Sequence, residues 1–244
     1  MLNVLSFQNV YKDFCNNKES IRVLENINLE VKQGEIFSIL GPSGSGKSTI
    51  LNLISGLIKP TSGNVELNGN VGYMFQRDHL LNWQTIYKNV LLGLSIQKNI
   101  NENTINRVDK MLKDYGLWEF RNYYPRQLSG GMRQRVALIR TLATNPDILL
   151  LDEPFASLDY LTKLKVSEDV FKIIKKEHKT TILVTHDISE AISMSDRIVV
   201  LTSRPASIKT RLDINLGNLD PVERRKVSKF QEYFEKIWEG LNHE

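Results

Sequence analysis

The apolar positions change period several times along the chain, and each change predicts a different element. Leu5 and Phe7 alternate with polar neighbours, as do Ile27, Leu29 and Val31, the step of two expected of strands with one covered face. The stretch KDFCNNKES between them reads as a turn. EIFSIL, at 35–40, is a nearly continuous apolar run, which predicts a strand covered on both faces. It feeds directly into a glycine-rich loop and the helix STILNLISGL. KPTSGNVELNGNVGYMFQ, at 59–76, reads as a turn followed by short strands. From 77 to about 124 the pattern turns helical: Ile105, Val108, Met111, Leu112 and Tyr115 share a helical spacing, and Gly116 stops the run.

A helix after Ser129 leads to ILLLDEP, followed by a long helix to Lys179, the strand TTILVTH, a short helix from Asp187 and the strand DRIVVLT. Strands alternating with helices predict an α/β fold with a parallel sheet, and the helices after 77 predict a lobe inserted into it. In the tail, Val227, Phe230, Phe234, Ile237 and Leu241 form one greasy stripe on a helix, expected to pack on its own domain rather than to form a dimer seam.

Composition narrows the setting. With 244 residues, 41% of them hydrophobic, the chain can bury a core of its own. One cysteine, Cys15, excludes an internal disulfide framework and suits a reducing compartment. No apolar run approaches the length of a membrane span, and MLNVLSFQNVYKDF lacks the basic start and apolar middle of a signal peptide. The protein is therefore expected to be neither inserted nor secreted. The 32 basic residues barely exceed the 28 acidic ones, so charge gives no argument for nucleic acid as a partner.

Chemistry concentrates in GPSGSGKST, at 41–49. Gly41, Gly46, Lys47 and Ser48 satisfy G-x-x-x-x-G-K-S, with Ser43, Gly44 and Thr49 in the same stretch. The glycines let backbone N–H groups turn toward phosphates, Lys47 brings positive charge to the outer phosphates, and Ser48 offers its hydroxyl to Mg²⁺. Strand before and helix after are the context this motif needs. ILLLDEP ends a buried strand in two acids at the edge where α/β proteins bind ligands. Asp152 is placed to hold Mg²⁺, and Glu153 to polarise the water that attacks the γ-phosphorus.

The order GPSGSGKST, Gln76, LSGGM, ILLLDEP, SLD and VTHD resembles the ATP-binding cassette family, the nucleotide-hydrolysing subunits of ABC transporters. That resemblance implies an α/β P-loop NTPase (RecA-like) core with a mainly parallel sheet, an N-terminal antiparallel β part and an inserted helical subdomain. The implied divisions are an ATPase domain over 1–211, a helical subdomain at about 77–135, and a tail with an amphipathic helix over 212–244.

It also explains why LSGGMRQ, a second anion-binding stretch, follows the first. In this family two cassettes pair head to tail, and the signature loop of one closes over ATP bound to the other. Ser129 and Gly131 would contact the partner's nucleotide. Phe14 matches the adenine-stacking position, Gln76 the residue that contacts Mg²⁺ and the attacking water, Asp159 the subunit-crossing aspartate and His186 the switch histidine at the γ-phosphate. Trp83, Trp118 and Trp238 read as packing residues.

HLLNWQTIYKNV, LSGGMRQR and DRIVVLTSRPASI resemble the branch of nitrate, sulfonate and taurine importers, which also includes importers of vitamin precursors. Asn82 departs from that branch, whose members usually have proline there. The implied assembly is an ATPase homodimer on the cytoplasmic face of the membrane, two transmembrane permease subunits and an extracytoplasmic solute-binding protein, with no nucleic acid. The alternative is a soluble cassette acting on nucleic acid or the ribosome, and this sequence lacks the second cassette, coiled-coil insertion or basic arms usual there.

Overall fold

The computed structural model describes residues 2–16 and 19–242. β1 (Asn3–Asn16) and β2 (Glu19–Lys32) pair antiparallel. β3 (Ile36–Leu40) leads through the glycine-rich loop into α1 (Lys47–Ile54), and β4 (Ser62–Leu67) returns to pair with the other edge of β1. The expected turn KDFCNNKES is much shorter than its sequence reads. Lys12 to Cys15 extend β1, with Asp13 opposite Arg22 and Phe14 opposite Ile21; Asn17 and Lys18 lie outside the described residues. Polar side chains conceal these strand ends, because the pairing there is held by backbone and by an Asp13–Arg22 ion pair at 3.0 Å rather than by apolar alternation.

β5 (Val71–Met74) precedes the helical lobe of α2 (Ile86–Ile96), α3 (Glu102–Asp114) and α4 (Gly130–Ala143). Then follow β6 (Ile148–Asp152), α5 (Tyr160–Lys176), β7 (Thr180–Thr185), α6 (Ile188–Met194), β8 (Arg197–Leu201) and β9 (Ile208–Asp213). The main sheet runs β5-β6-β7-β3-β8-β9, parallel except for the antiparallel β8–β9 pair. Every residue of β3, β6 and β7 is buried, as the largely apolar runs predict, and this includes the polar Ser38, Thr180, Thr181, Thr185 and Asp152.

Alternation within β6 explains the layering. Leu149 and Leu151 pack into a core shared with α4 and α5, while Ile148 and Leu150 join Phe7, Ile27 and Leu51 on the other face. Each such side chain contributes about 1.5–3 kcal/mol of hydrophobic stabilisation, and a strand with both faces covered cannot slip register without exposing one set to water.

Helical structure begins later than the pattern from 77 implies. Residues 77–84 are loop, and α2 starts where Thr85 accepts the Lys88 amide. The loop is fixed by side chains: buried Asn89 accepts the amide of Leu81 at 2.7 Å, while its Nδ2 donates to the carbonyls of Leu81, Gln84 and Thr85. Arg140 of α4 donates to the carbonyls of Asp78 and His79.

The tail consists of α7 (Pro221–Arg224) and α8 (Ser228–Asn242). Phe230, Tyr233 and Ile237 are buried against α6 and β8, with Val227, Phe234 and Leu241 at the margin. The stripe is therefore centred on Tyr233 rather than Phe234. Arg224 anchors the segment, donating to the carbonyls of Leu219 and Ser195 at 3.1 and 2.9 Å. β9 runs across 211/212, and α4 continues past 135 to Ala143. Trp83, 73% exposed, departs from its expected packing role; Trp238, 54% exposed, keeps one face stacked on Phe234 at 6.3 Å between ring centroids, and Trp118 is half-buried beneath Lys113 and Arg121. Size and apolarity alone do not decide which side of the surface a residue occupies.

Candidate nucleotide site

Four loops meet at one edge of the main sheet. β5, β6, β7 and β3 are consecutive neighbours running the same way, so their carboxyl ends lie side by side. Those ends deliver Gln76, then Asp152 and Glu153, then His186, then the loop beginning at Gly41. Residues scattered over nearly 150 positions of sequence are adjacent because four parallel strands end there.

The glycine-rich loop is shaped by its sequence. Gly46 has φ +93°, and a Cβ there would stand 2.9 Å from both Leu24 and Val23, so conformation and space both demand glycine. Ser43 and Gly44 are exposed at the crest, Ser48 is exposed and Thr49 half-buried in the first turn of α1, whose amino end favours anions. Lys47 is buried: its Nζ donates to the carbonyls of Gly41 and Pro42 at 2.9 and 2.8 Å and lies 3.9 Å from Oε1 of Glu153. Burial lowers the Lys47 ammonium's pKa, opposed by the charges of Glu153 and Asp152.

Asp152 faces this loop. Ser48 Oγ donates to its Oδ1 at 3.3 Å and Tyr73 OH to its Oδ2 at 3.2 Å. Burial pushes the Asp152 carboxyl up, against the two hydrogen bonds that pull it down. The Tyr73 hydroxyl is itself pushed far up, by burial and by Asp152.

Glu153 collects the remaining groups. Gln76 Nε2 donates to its Oε2 at 3.4 Å and His186 Nδ1 lies 3.1 Å from the same oxygen. Its backbone has φ +44°, a conformation that side-chain-bearing residues rarely adopt, and is fixed by an amide donating to Val184 O at 2.9 Å. Strain of that kind is retained where the surroundings impose it, and it turns this carboxylate out of the strand toward Gln76 and His186.

Phe14, Ser129 and Asp159 stand outside this cluster, each exposed and with local contacts. Lys12 Nζ lies 5.0 Å over the Phe14 ring. Ser129 caps α4 by accepting the Met132 amide at 3.3 Å, and Asp159 caps α5 by accepting the Thr162 amide at 3.1 Å. Gly131 is buried, and a Cβ on it would come within 2.7 Å of Val166 on α5.

A model of the ABC transporter family matches residues 24–156, more than half of the chain and the span that holds the glycine-rich loop, Gln76, Ser129, Asp152 and Glu153. The chain belongs to the ABC transporter family. It is an ATP hydrolase of that family. Over 99% of its length this ABC ATPase is 42% identical to an uncharacterized ABC transporter ATP-binding protein of Bacillus subtilis, 96% of which is covered. It is 39% identical to a taurine import ATP-binding protein of a Jannaschia species over 91% of this chain and 87% of that one. A nitrate import ATP-binding protein of Synechocystis is 38% identical over 94% and 91%. Among solved structures it resembles a dimeric ATP-binding cassette in a post-hydrolysis state bound to ADP and Pi, with a TM-score of 0.74 at 34% identity, covering 86% of this chain and 99% of that one.

Reading the motifs of this ABC ATPase misses the residues that hold them in place. Tyr73 on Asp152, and Asn89 and Arg140 on the loop after Gln76, carry no pattern of their own. The one available signal is a tyrosine inside a short apolar strand, whose hydroxyl needs a partner once buried. The donors around Asp152 are hydroxyl and carboxylate oxygens, which suit a hard divalent cation. Among the described residues no cluster of three His, Cys, Asp or Glu forms a metal site by itself.

Proposed function

We propose that this chain is the ATPase subunit of a membrane importer for a small solute, of the nitrate, taurine or sulfonate kind or a vitamin precursor. It works as a head-to-tail homodimer at the cytoplasmic face of the membrane, beneath two permease subunits fed by an extracytoplasmic solute-binding protein. The observation that carries the reading is the convergence of Lys47, Gln76 and His186 on the carboxylate of Glu153. The import relatives support the transport half of it. No helix among the described residues is long and apolar enough to cross a membrane.

In this reading residues 1–211 form the ATPase unit, with the lobe at about 77–135, and 212–244 the tail. ATP lies along the glycine-rich loop, its adenine on Phe14 and its outer phosphates on Lys47, the loop amides and Thr49. Ser48, Asp152 and Gln76 are the residues that would hold Mg²⁺, which when bound offsets phosphate charge. Glu153 accepts the proton of the attacking water, His186 and Gln76 orient that carboxylate, and Ser129, Gly131 and Asp159 act on the second copy. The exposure of Ser129 and Asp159 fits residues that meet a partner.

Two measurements test this. Ser129→Arg is expected to leave nucleotide binding to the monomer intact and to abolish ATP-dependent dimerisation; normal dimerisation and turnover would remove the shared site. Turnover by the chain assembled with its permease in vesicles should rise with one solute from a panel of nitrate, taurine, alkanesulfonates and vitamin precursors. Failure to associate with any permease would end the transport assignment.

A further inference from the structure

Behind the loops that carry Asp159 and His186 lies a partly buried charge cluster with Glu190 at its buried end. Lys163, one turn into α5, places its Nζ 2.7 Å from Oδ2 of Asp187 and 2.9 Å from Oε2 of Glu190. Glu190 is 2% exposed. Asp187 directly follows His186; its other oxygen accepts the Glu190 amide at 2.9 Å, capping α6, and its own amide donates to Thr185 Oγ1 at 3.1 Å. The Lys163 amide in turn donates to the carbonyl of Asp159 at 2.8 Å. One ammonium thus ties together the first turns of two helices, each of which begins at a loop on the nucleotide side.

Neither helix depends on it for existence. Both have their own caps, and their apolar faces, Val166 and Val170 on α5, Ile188 and Ile192 on α6, are buried without it. With Glu190 buried and Lys163 and Asp187 only partly so, desolvation offsets much of the attraction within the cluster, whereas its directional contacts fix geometry.

We propose that Lys163 is a positioning residue for ATP hydrolysis: it holds Asp187, and through it His186, in fixed relation to the loop at Asp159. A displacement of that loop by the second cassette is then passed to the histidine beside Glu153. The inference rests on the proposed roles of Glu153, His186 and Asp159.

The test compares kcat, KM for ATP and melting temperature in the full-length protein. Lys163→Met alone leaves Glu190 buried and unpaired and can fail to fold, so the decisive variant is Lys163→Met combined with Glu190→Gln, which removes the stranded charge. It is expected to melt like the wild type and to lose about tenfold or more in kcat with KM within about threefold, the signature of an effect confined to the chemical step. Lys163→Arg, whose guanidinium can reach both carboxylates, should retain kcat within about threefold. Wild-type kcat in the double variant would mean that the lysine merely neutralises Glu190, and would overturn the proposal. A loss of kcat that tracks a fall in melting temperature would overturn it too. Glu153→Gln, run alongside, isolates the reading of the site: if it hydrolyses ATP normally, that reading fails whatever Lys163 does.

Discussion

His186 Nδ1 stands 3.1 Å from Oε2 of Glu153, and Gln76 donates to that same oxygen. Three strand ends thereby meet at a single carboxylate, whose proposed role is to take a proton from water. Glu153→Gln keeps the shape and the hydrogen-bonding capacity but cannot accept that proton. Hydrolysis should fall by about 10²–10⁴-fold, the usual worth of a general base, while nucleotide titration shows binding within about threefold of wild type. A rate near wild type would take the role from Glu153.

Asp152 carries a second prediction, with a sign. Burial holds its folded pKa above the unfolded value, so the folded chain binds that proton more tightly. The resulting stabilisation is present in acid, below the unfolded pKa, and is lost as pH rises through the folded pKa; near neutrality the ionised carboxylate costs stability. Asp152→Asn, melted without nucleotide, should therefore be more stable than wild type near neutral pH, with the gap closing as pH falls into the carboxylate range, and should be inactive. A gap that does not change with pH would refute the assignment of the effect to this charge.

Gly131 tests packing against backbone exposure. Its missing Cβ leaves room for Val166, 2.7 Å from where that atom would sit. Gly131→Ala should cost about 1–3 kcal/mol in urea unfolding, the range for overfilling a packed site. Adding Val166→Ala should return part of it, because the two positions share one contact. Strict additivity would show that the clash is relieved elsewhere.

Phe14 lies exposed near the end of a hairpin strand, so its removal should leave stability within about 0.5 kcal/mol. If it stacks on adenine, Phe14→Ala weakens ATP binding about three- to tenfold, as an aromatic contact of about 0.5–1.5 kcal/mol implies, and Phe14→Tyr does not. Unchanged ATP affinity in the alanine variant, by fluorescence or calorimetry, would reassign the ring.

What the sequence made legible follows from how each feature is encoded. The buried runs IFSIL, ILLLD and TTILVT announce their strands because they are short, mostly aliphatic and β-branched, and interrupted only by small or strand-end polar residues such as Ser38, Thr180 and Asp152. The residues that the structure brings together at the sheet edge stood out in the sequence because a glycine-rich loop ending in Lys47 and Ser48, and a buried strand ending in two acids, are patterns that phosphate chemistry calls for. Lys12 to Cys15 escaped because a strand end held by backbone pairing has no apolar signature, and residues 77–84 because a loop stapled by Asn89 and Arg140 owes its form to side chains far along the chain. Lys163 was invisible for the same reason: nothing in its neighbourhood of sequence names Asp187 and Glu190 as partners.

Lys47, finally, is gripped by the carbonyls of Gly41 and Pro42, at the opposite end of its own loop. Such a cross-brace turns the loop into a mould cast during folding rather than a coil that sets around its guest. Little ordering entropy is left to lose on binding, so loosening the brace should weaken nucleotide affinity even where every phosphate contact can still form.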